Sequence, residues 1–376
     1  MRILVLGAGR VGSAIAADLA SEADFSIEVA DLSFGRLHTD LPLQKITENL
    51  SDPDTVKKLA GQFDMVVNAL PGAMGFAAFQ SVIEAGKNLV DIAFFEEDPF
   101  TMDEVAQKKG VTAVMDCGVA PGMSNILVAH AASRLDQTDS AAIYVGGLPV
   151  ERELPWEYKA VFSPSDVIEE YLRPARLVEN GKMVVKRALT EPEFLNFKGI
   201  GTLEAFNTDG LRTLTDTIKI PNMKEKTMRY PGHRERIALM RDSGFFDAGK
   251  TAVNGSSVQP LDFTSRILFP LWELKEGEAD FTVMRVAVTG WKNGKRIRLQ
   301  FDLYDKFDEK TGVTSMARTT GYTATAVVRL LAKGLFSQNG VIPPEYLGKN
   351  PEHVQFILNE LKKHGIEYQE SQVPLE

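Results

Sequence analysis

Residues 2–12, RILVLGAGRVG, join a short aliphatic run to three glycines spaced G-x-G-x-x-G, and an Ala-rich stretch, SAIAADLASEA, follows at once. That order is a strand, a tight turn and a helix, the opening of a βαβ unit. The three glycines do different things. Gly7 permits the turn, Gly9 lets the backbone approach a pyrophosphate, and Gly12 lets helix pack on strand while the helix N-terminus faces the phosphates. Arg10 and Val11 complete this cofactor-binding turn. Asp31 ends the second strand 24 residues after Gly7, close to the spacing of a carboxylate that hydrogen-bonds an adenosine ribose. A carboxylate there repels a 2′-phosphate, so NAD is favoured over NADP, with Arg36 tempering the preference.

The same grammar recurs. Aliphatic segments at 27–31, 64–69, 88–92 and 111–116 alternate with helical ones at 53–60, 74–85 and 101–109. Strands this apolar are covered on both faces, which predicts a Rossmann-type, doubly wound parallel sheet. SFGRLHTDLPLQ, between the second and third strands, holds Gly35 and Pro42 and predicts a short or irregular crossover. After about residue 125 the pattern changes: Asn180-Gly181 and Asn293-Gly294 each separate two runs, a two-residue hairpin signal. Ile297, Leu299, Phe301 and Leu303 alternate with Arg296, Arg298, Gln300 and Asp302, so one face is buried and the other polar. Helical patterns return from about 315, ending on Gly334, and a last helix opens with Asn350 as cap and Pro351 at the first position. The expected α/β chain therefore has a discontinuous Rossmann-type domain, 1–123 plus 315–376, and a second α+β domain, 124–314, built on an antiparallel sheet.

Charge and cysteine content narrow the function. A formal net charge of −9, without any block of Lys and Arg, argues against nucleic acid as a partner. No apolar run approaches the roughly 20 residues that cross a bilayer. One cysteine forms no internal disulfide, and no charged and apolar leader precedes the first strand, so a cytoplasmic location is expected. His38, His130, His233, His353 and His364 are too scattered for a metal site.

Candidate site residues cluster after strands. Asn68, Ala69, Leu70 and Pro71 follow the fourth strand at the carboxyl edge where open α/β sheets bind ligands, either lining the path to the nicotinamide ribose or making an ordinary turn. Asp91 and Asp116 lie at the ends of the next two strands, as catalytic carboxylates or as caps. Cys117 has no His partner and reads as a small buried hydrophobe. Gly118 belongs to the cofactor turn; Pro121 and Gly122 make the turn into SNILVAHAAS, whose first-turn N–H groups suit an anion or carbonyl, with Ser124 or Asn125 as a cap that also lines the site. His233 sits beside Arg229 and Tyr230 in RYPGHRER.

With the fingerprint, DCGVAPGMSN, VGGLP, FSPSDVIEEYLRPARLVENGK and RYPGH in this order, the chain resembles the saccharopine dehydrogenase-like superfamily over nearly its whole length, most closely the L-lysine 6-dehydrogenase branch. The resemblance implies a two-domain, NAD-dependent oligomer, expected as a homodimer, that oxidises the ε-carbon of lysine to 2-aminoadipate 6-semialdehyde and ammonia. Saccharopine reductase relatives carry Cys before the GGLP glycines and Asp before Pro-Gly; here Val145 and Ala120 stand there, which weakens a saccharopine reading. By resemblance, Arg229 and Tyr230 lie at the substrate, and Arg229 could hold a carboxylate. Because ε-ammonium titrates near 10.4, the site must supply a base or favour the neutral amine, a role for Asp91 or Asp116. Alternatives are a saccharopine or carboxynorspermidine dehydrogenase, with some of Arg173, Arg176, Arg212 and Arg229 gathered on the carboxylates, and a non-catalytic NAD-binding sensor.

Overall fold

The structure is a computed structural model and describes residues 1–37 and 42–375, so His38 lies outside the described residues. The chain divides into two compact units, residues 1–137, 290–301 and 316–376 in one, residues 138–289 and 302–315 in the other.

The first unit opens with β1 (Arg2–Leu6), α1 (Arg10–Leu19), β2 (Ser26–Asp31), β3 (Leu43–Thr47), α2 (Pro53–Ala60), β4 (Met65–Asn68), α3 (Gly72–Glu84), β5 (Asn88–Asp91), α4 (Asp103–Lys108), β6 (Thr112–Val114) and α5 (Met123–Ser133). Ile3 to Leu6, Val66, Val67, Leu89 and Val90 are completely buried, as strands covered on both faces must be. Asp52 caps α2 by accepting from Thr55 N at 3.2 Å, with Pro53 in the first turn, where a missing N–H costs nothing.

The chain continues with β7 (Gln137–Pro149), α6 (Pro164–Leu172), β8 (Ala175–Glu179), β9 (Lys182–Lys186), β10 (Glu193–Phe197), β11 (Gly201–Asn207), α7 (Leu214–Thr217), β12 (Asn222–Arg229), α8 (His233–Asp242), β13 (Thr251–Val253), β14 (Ser256–Val258), α9 (Pro260–Trp272), β15 (Asp280–Lys292) and β16 (Lys295–Lys306). Its sheet runs β10-β11-β12-β7-β15-β16 and ends on a late strand, β18 (Tyr368–Pro374), with β8 pairing β12 and β9. β10, β11, β12, β8 and β9 pair antiparallel, whereas β7 and β12 run parallel, so the expected antiparallel sheet is mixed at one junction. The two Asn-Gly turns form as expected, with φ of 50° and 76° at Asn180-Gly181 and 52° and 72° at Asn293-Gly294. A third, Asn254-Gly255 at 49° and 80°, joins β13 to β14 and carries the same signal.

The last segment, α10 (Ser315–Ala332), β17 (Gly340–Ile342), α11 (Pro344–Gly348), α12 (Pro351–Lys363) and β18 (Tyr368–Pro374), completes the first unit. β17 adds itself to β6, giving a parallel sheet of order β17-β6-β5-β4-β1-β2-β3. The Rossmann-type sheet is thus discontinuous in sequence, as expected, by way of a strand that sequence reading did not mark. α10 lies close against α1: a Cβ on Gly321 would come 3.2 Å from Ile15 Cγ1. Buried Asp18 of α1 accepts from Arg329 Nη1 of α10 at 2.7 Å and meets His364 Nε2, just past α12, at 3.1 Å.

Candidate functional site

In the first unit, Gly7 has φ of +99° and donates its N–H to Ala30 O at 2.9 Å, turning the chain out of β1. A Cβ on Gly12 would lie 2.1 Å from Gly7 O, so only glycine allows α1 this close to the loop. A Cβ on Gly9 meets nothing within 4 Å; the space beside it is open, as a cradle for a phosphate needs. Gly9 caps α1 with no side-chain hydrogen bond, and Arg10 and Val11 are half-buried at the helix start. Asp31 turns its carboxylate back onto this loop, Oδ2 accepting from Ala8 N at 2.6 Å and Oδ1 from Ser33 N at 3.0 Å. The residues fit a dinucleotide.

Asn68 is fully buried at the end of β4. Its Nδ2 donates to Asp91 Oδ2 at 2.6 Å and to Gly75 O at 3.1 Å, and its Oδ1 accepts from Leu70 N at 3.3 Å. Asp91, also fully buried, accepts from Ala93 N through Oδ1 at 2.7 Å. Asn68 and Asp91 therefore tie the ends of β4 and β5 to the loops beyond them. Ala69 and Pro71 remain partly accessible, while Leu70 packs into the core.

Asp116 is 2% exposed with φ of +48°, a left-handed conformation unusual for a residue with a Cβ. Cys117 is fully buried, and burial together with the negative charges of Asp91 and Asp116 pushes its thiol well above the ordinary range, the opposite of what a nucleophile needs. After a cis Ala120–Pro121 peptide, Gly122 has φ of +130°, and a Cβ there would lie 2.0 Å from Gly118 O. Gly118 N donates to Pro121 O at 3.1 Å, closing the turn. Ser124 and Asn125 are fully buried: Asn125 Oδ1 accepts from Gly122 N at 3.4 Å and Ser124 Oγ at 3.0 Å, and its Nδ2 donates to Glu345 Oε2 of α11 at 3.3 Å. Their polar atoms serve the cap and the α5–α11 contact.

In the second unit, Arg229 ends β12 and is 2% exposed. Nη2 donates to Glu170 Oε2 at 2.8 Å, Nε to Tyr171 OH at 3.1 Å and Nη1 to Met228 O at 2.9 Å. The guanidinium also lies over the Tyr158 ring, 4.8 Å from its centroid. His233 is fully buried, with Nδ1 3.0 Å from Trp156 O and Nε2 3.0 Å from Tyr171 OH. Burial, then the charge of Arg229, lowers its pKa to about 3, so it is a neutral imidazole. Nδ1 donates to the carbonyl and Nε2 accepts from Tyr171, whose oxygen accepts from Arg229. Tyr230 donates to Pro149 O at 3.0 Å and stacks its ring under Arg152.

Arg176 pairs bidentately with Asp209, Nε to Oδ1 and Nη2 to Oδ2, both at 2.9 Å. Behind Arg229 on the same face of β12 lie Thr227 and Glu225, in contact with Thr208 beyond the end of β11. Sequence reading did not single out Glu170, Tyr171, Thr208, Asp209 or Glu225. The available signal was NMKEKTMR itself, a strand with polar groups in both phases and hence no apolar face to bury.

A doubly wound sheet with three glycines in its first turn and an acid ending its second strand defines an NAD(P)-binding protein. The chain belongs to the saccharopine dehydrogenase family. Residues 118–366 match the saccharopine dehydrogenase C-terminal domain and residues 3–114 the saccharopine dehydrogenase NADP binding domain. It is 24% identical to α-aminoadipic semialdehyde synthase of Arabidopsis thaliana over 55% of its own length and 21% of that longer protein. It is 22% identical to the NADP(+), L-glutamate-forming saccharopine dehydrogenase of Pyricularia oryzae, over 99% of each chain. The structure of L-Glu-forming saccharopine dehydrogenase from Saccharomyces cerevisiae superposes with a TM-score of 0.80, 18% identity and 99% of both chains covered.

Proposed function

We propose that this oxidoreductase uses NAD to oxidise the ε-amino carbon of L-lysine, with water, to 2-aminoadipate 6-semialdehyde, ammonia, NADH and a proton. The observation that carries the reading is the pairing of Arg176 and Arg229 with acids of their own unit. Arg176 is matched by Asp209 and Arg229 by Glu170, so neither of these two brings an unbalanced positive charge. Saccharopine brings three carboxylates, lysine one. Arg229 has five N–H groups, three of them engaged as above, and its remaining two suit a single carboxylate.

Bound NAD supplies the acceptor for the hydride. The protein must first relieve the ε-ammonium, ordinarily near 10.4, of a proton. We assign that proton to Asp116, whose left-handed φ of +48° is the kind of strained backbone that collects at reacting centres. Asp91 then orders the strand ends around the nucleotide. With the carbon–hydrogen bond broken, water adds to the substrate iminium and ammonia leaves.

NADH absorbance followed with lysine, saccharopine and carboxynorspermidine, together with released ammonia, tests the reading: turnover and ammonia with lysine are expected. A preference for saccharopine would replace it, and no NADH with any amine would leave a nucleotide-binding sensor. Asp116→Asn should lower kcat by about 100-fold or more. Full activity in both Asp116→Asn and Asp91→Asn would remove the carboxylate base.

A further inference from the structure

A chain of side chains leads from Arg229 into the second unit. Thr227 Oγ1 lies 2.6 Å from Glu170 Oε1, Thr208 Oγ1 lies 3.0 Å from Thr227 Oγ1, and Glu225 Oε2 lies 2.6 Å from Thr208 Oγ1. These are three oxygen–oxygen contacts, each needing one proton. The two threonines supply two. Glu170, as the carboxylate of the Arg229 ion pair, has none to give, so the third proton belongs to Glu225.

We propose that Glu225 stands as a neutral carboxylic acid and acts as a positioning residue for Arg229, its proton setting one direction along Glu225, Thr208, Thr227 and Glu170. In that arrangement Glu225 donates to Thr208, Thr208 to Thr227, and Thr227 to the carboxylate that grips Arg229. Every hydroxyl donates once, and Thr208 also accepts from Thr227 N at 3.1 Å. An ionised Glu225 would take the Thr208 proton for itself and leave Thr208 and Thr227 facing each other with none between them. Glu170 would keep Arg229 but lose the ordered support behind it.

The surroundings agree. Glu225 is 3% exposed, and a Cβ on Gly210 would come 2.4 Å from its carboxyl carbon, so glycine is required beside it; Gly210 N donates to Oε2 at 3.0 Å, a contact that favours the charged form and that burial outweighs. The charged groups facing it are Glu170 from α6 and Asp209 from the segment after β11, the latter held by Arg176 of β8. Burial pushes its carboxyl up to about 8, against the Thr208 hydrogen bond, and Glu170 and Asp209 act in the same direction as burial.

This positioning role rests on Arg229 holding the substrate carboxylate. The test compares wild type, Glu225→Gln and Arg229→Ala from pH 6 to 9.5. Glutamine keeps a donor at every pH, so KM for lysine should rise several-fold through about pH 8 in wild type and not in Glu225→Gln, with kcat little separated between them. Coincident KM profiles would overturn the positioning role. Carbon NMR of glutamate-labelled protein should show one carboxyl, missing in Glu225→Gln, that titrates near 8. If every glutamate carboxyl titrates below about 6, the proton assignment fails whatever the kinetics. An Arg229→Ala enzyme with unchanged KM would remove the substrate reading and the positioning role together, and leave the proton to be judged by NMR alone.

Discussion

We propose that Asp31 selects the nucleotide in the first unit. Its carboxylate is pinned to Ala8 N and Ser33 N, so it cannot swing aside for a 2′-phosphate, and like charges in contact cost several kcal/mol. Asp31→Asn removes the charge while keeping one oxygen to accept a backbone N–H. The expected outcome is a rise of about 30-fold, or about 2 kcal/mol, in kcat/KM for NADP relative to NAD, read from initial rates with the two cofactors. An unchanged ratio would show that Asp31 is not what selects the nucleotide. Residues of this kind are legible because their signal is local: glycines and an acid at fixed offsets from a strand. Glu225, Thr208 and Glu170 are not, because they meet only when β12, the end of β11 and α6 are packed, from positions up to 55 residues apart.

At the scale of elements, the turns were written in two-residue signals and formed where the signals stood, whereas the edge strands were not. β3 places Leu43 and Ile46 three residues apart, on opposite faces, with Gln44 and Lys45 between them, and is largely exposed, and β17 is three residues long; neither has the length or pattern that identifies a strand by itself. The contact of α1, α10 and α12 was expected only as helices packing back, and its ionic centre is a finding of the structure. Burial opposes the charge of Asp18, but hydrogen bonds from His364 and Arg329 hold its pKa down at about 2, against 3.8 for the free side chain. A depressed carboxylate stabilises the fold above the unfolded value and loses that contribution as pH falls through the folded one. The contribution is about 2 kcal/mol. Denaturant unfolding of wild type and Asp18→Asn should therefore differ most above about pH 5. The gap should narrow by about 2 kcal/mol as pH is lowered from 5 towards 2. A gap independent of pH would show that Asp18 draws nothing from its partners.

For the whole molecule, composition bounded the chain and the break near residue 125 announced a second fold, but which segments share a core was beyond any local pattern. The first unit is assembled from residues 1–137, 290–301 and 316–376. Its N-terminal segment alone holds all the nucleotide glycines yet lacks β17, whose Gly340, Val341 and Ile342 pair with Thr112, Ala113 and Val114 of β6. It also lacks Arg329 and His364, so the roughly 2 kcal/mol that Asp18 draws from those partners is lost. That is a large share of the roughly 5–15 kcal/mol that hold a domain together. Residues 1–137 expressed alone should show no cooperative thermal transition and no NAD binding by calorimetry, despite an intact fingerprint. Co-expression with residues 290–376 should restore both, because that fragment returns β17, α10 and α12 to the unit. An N-terminal fragment that melts cooperatively and binds NAD unaided would mean that β1 to β6 form a sufficient core, and that the C-terminal segment adds only a covering layer.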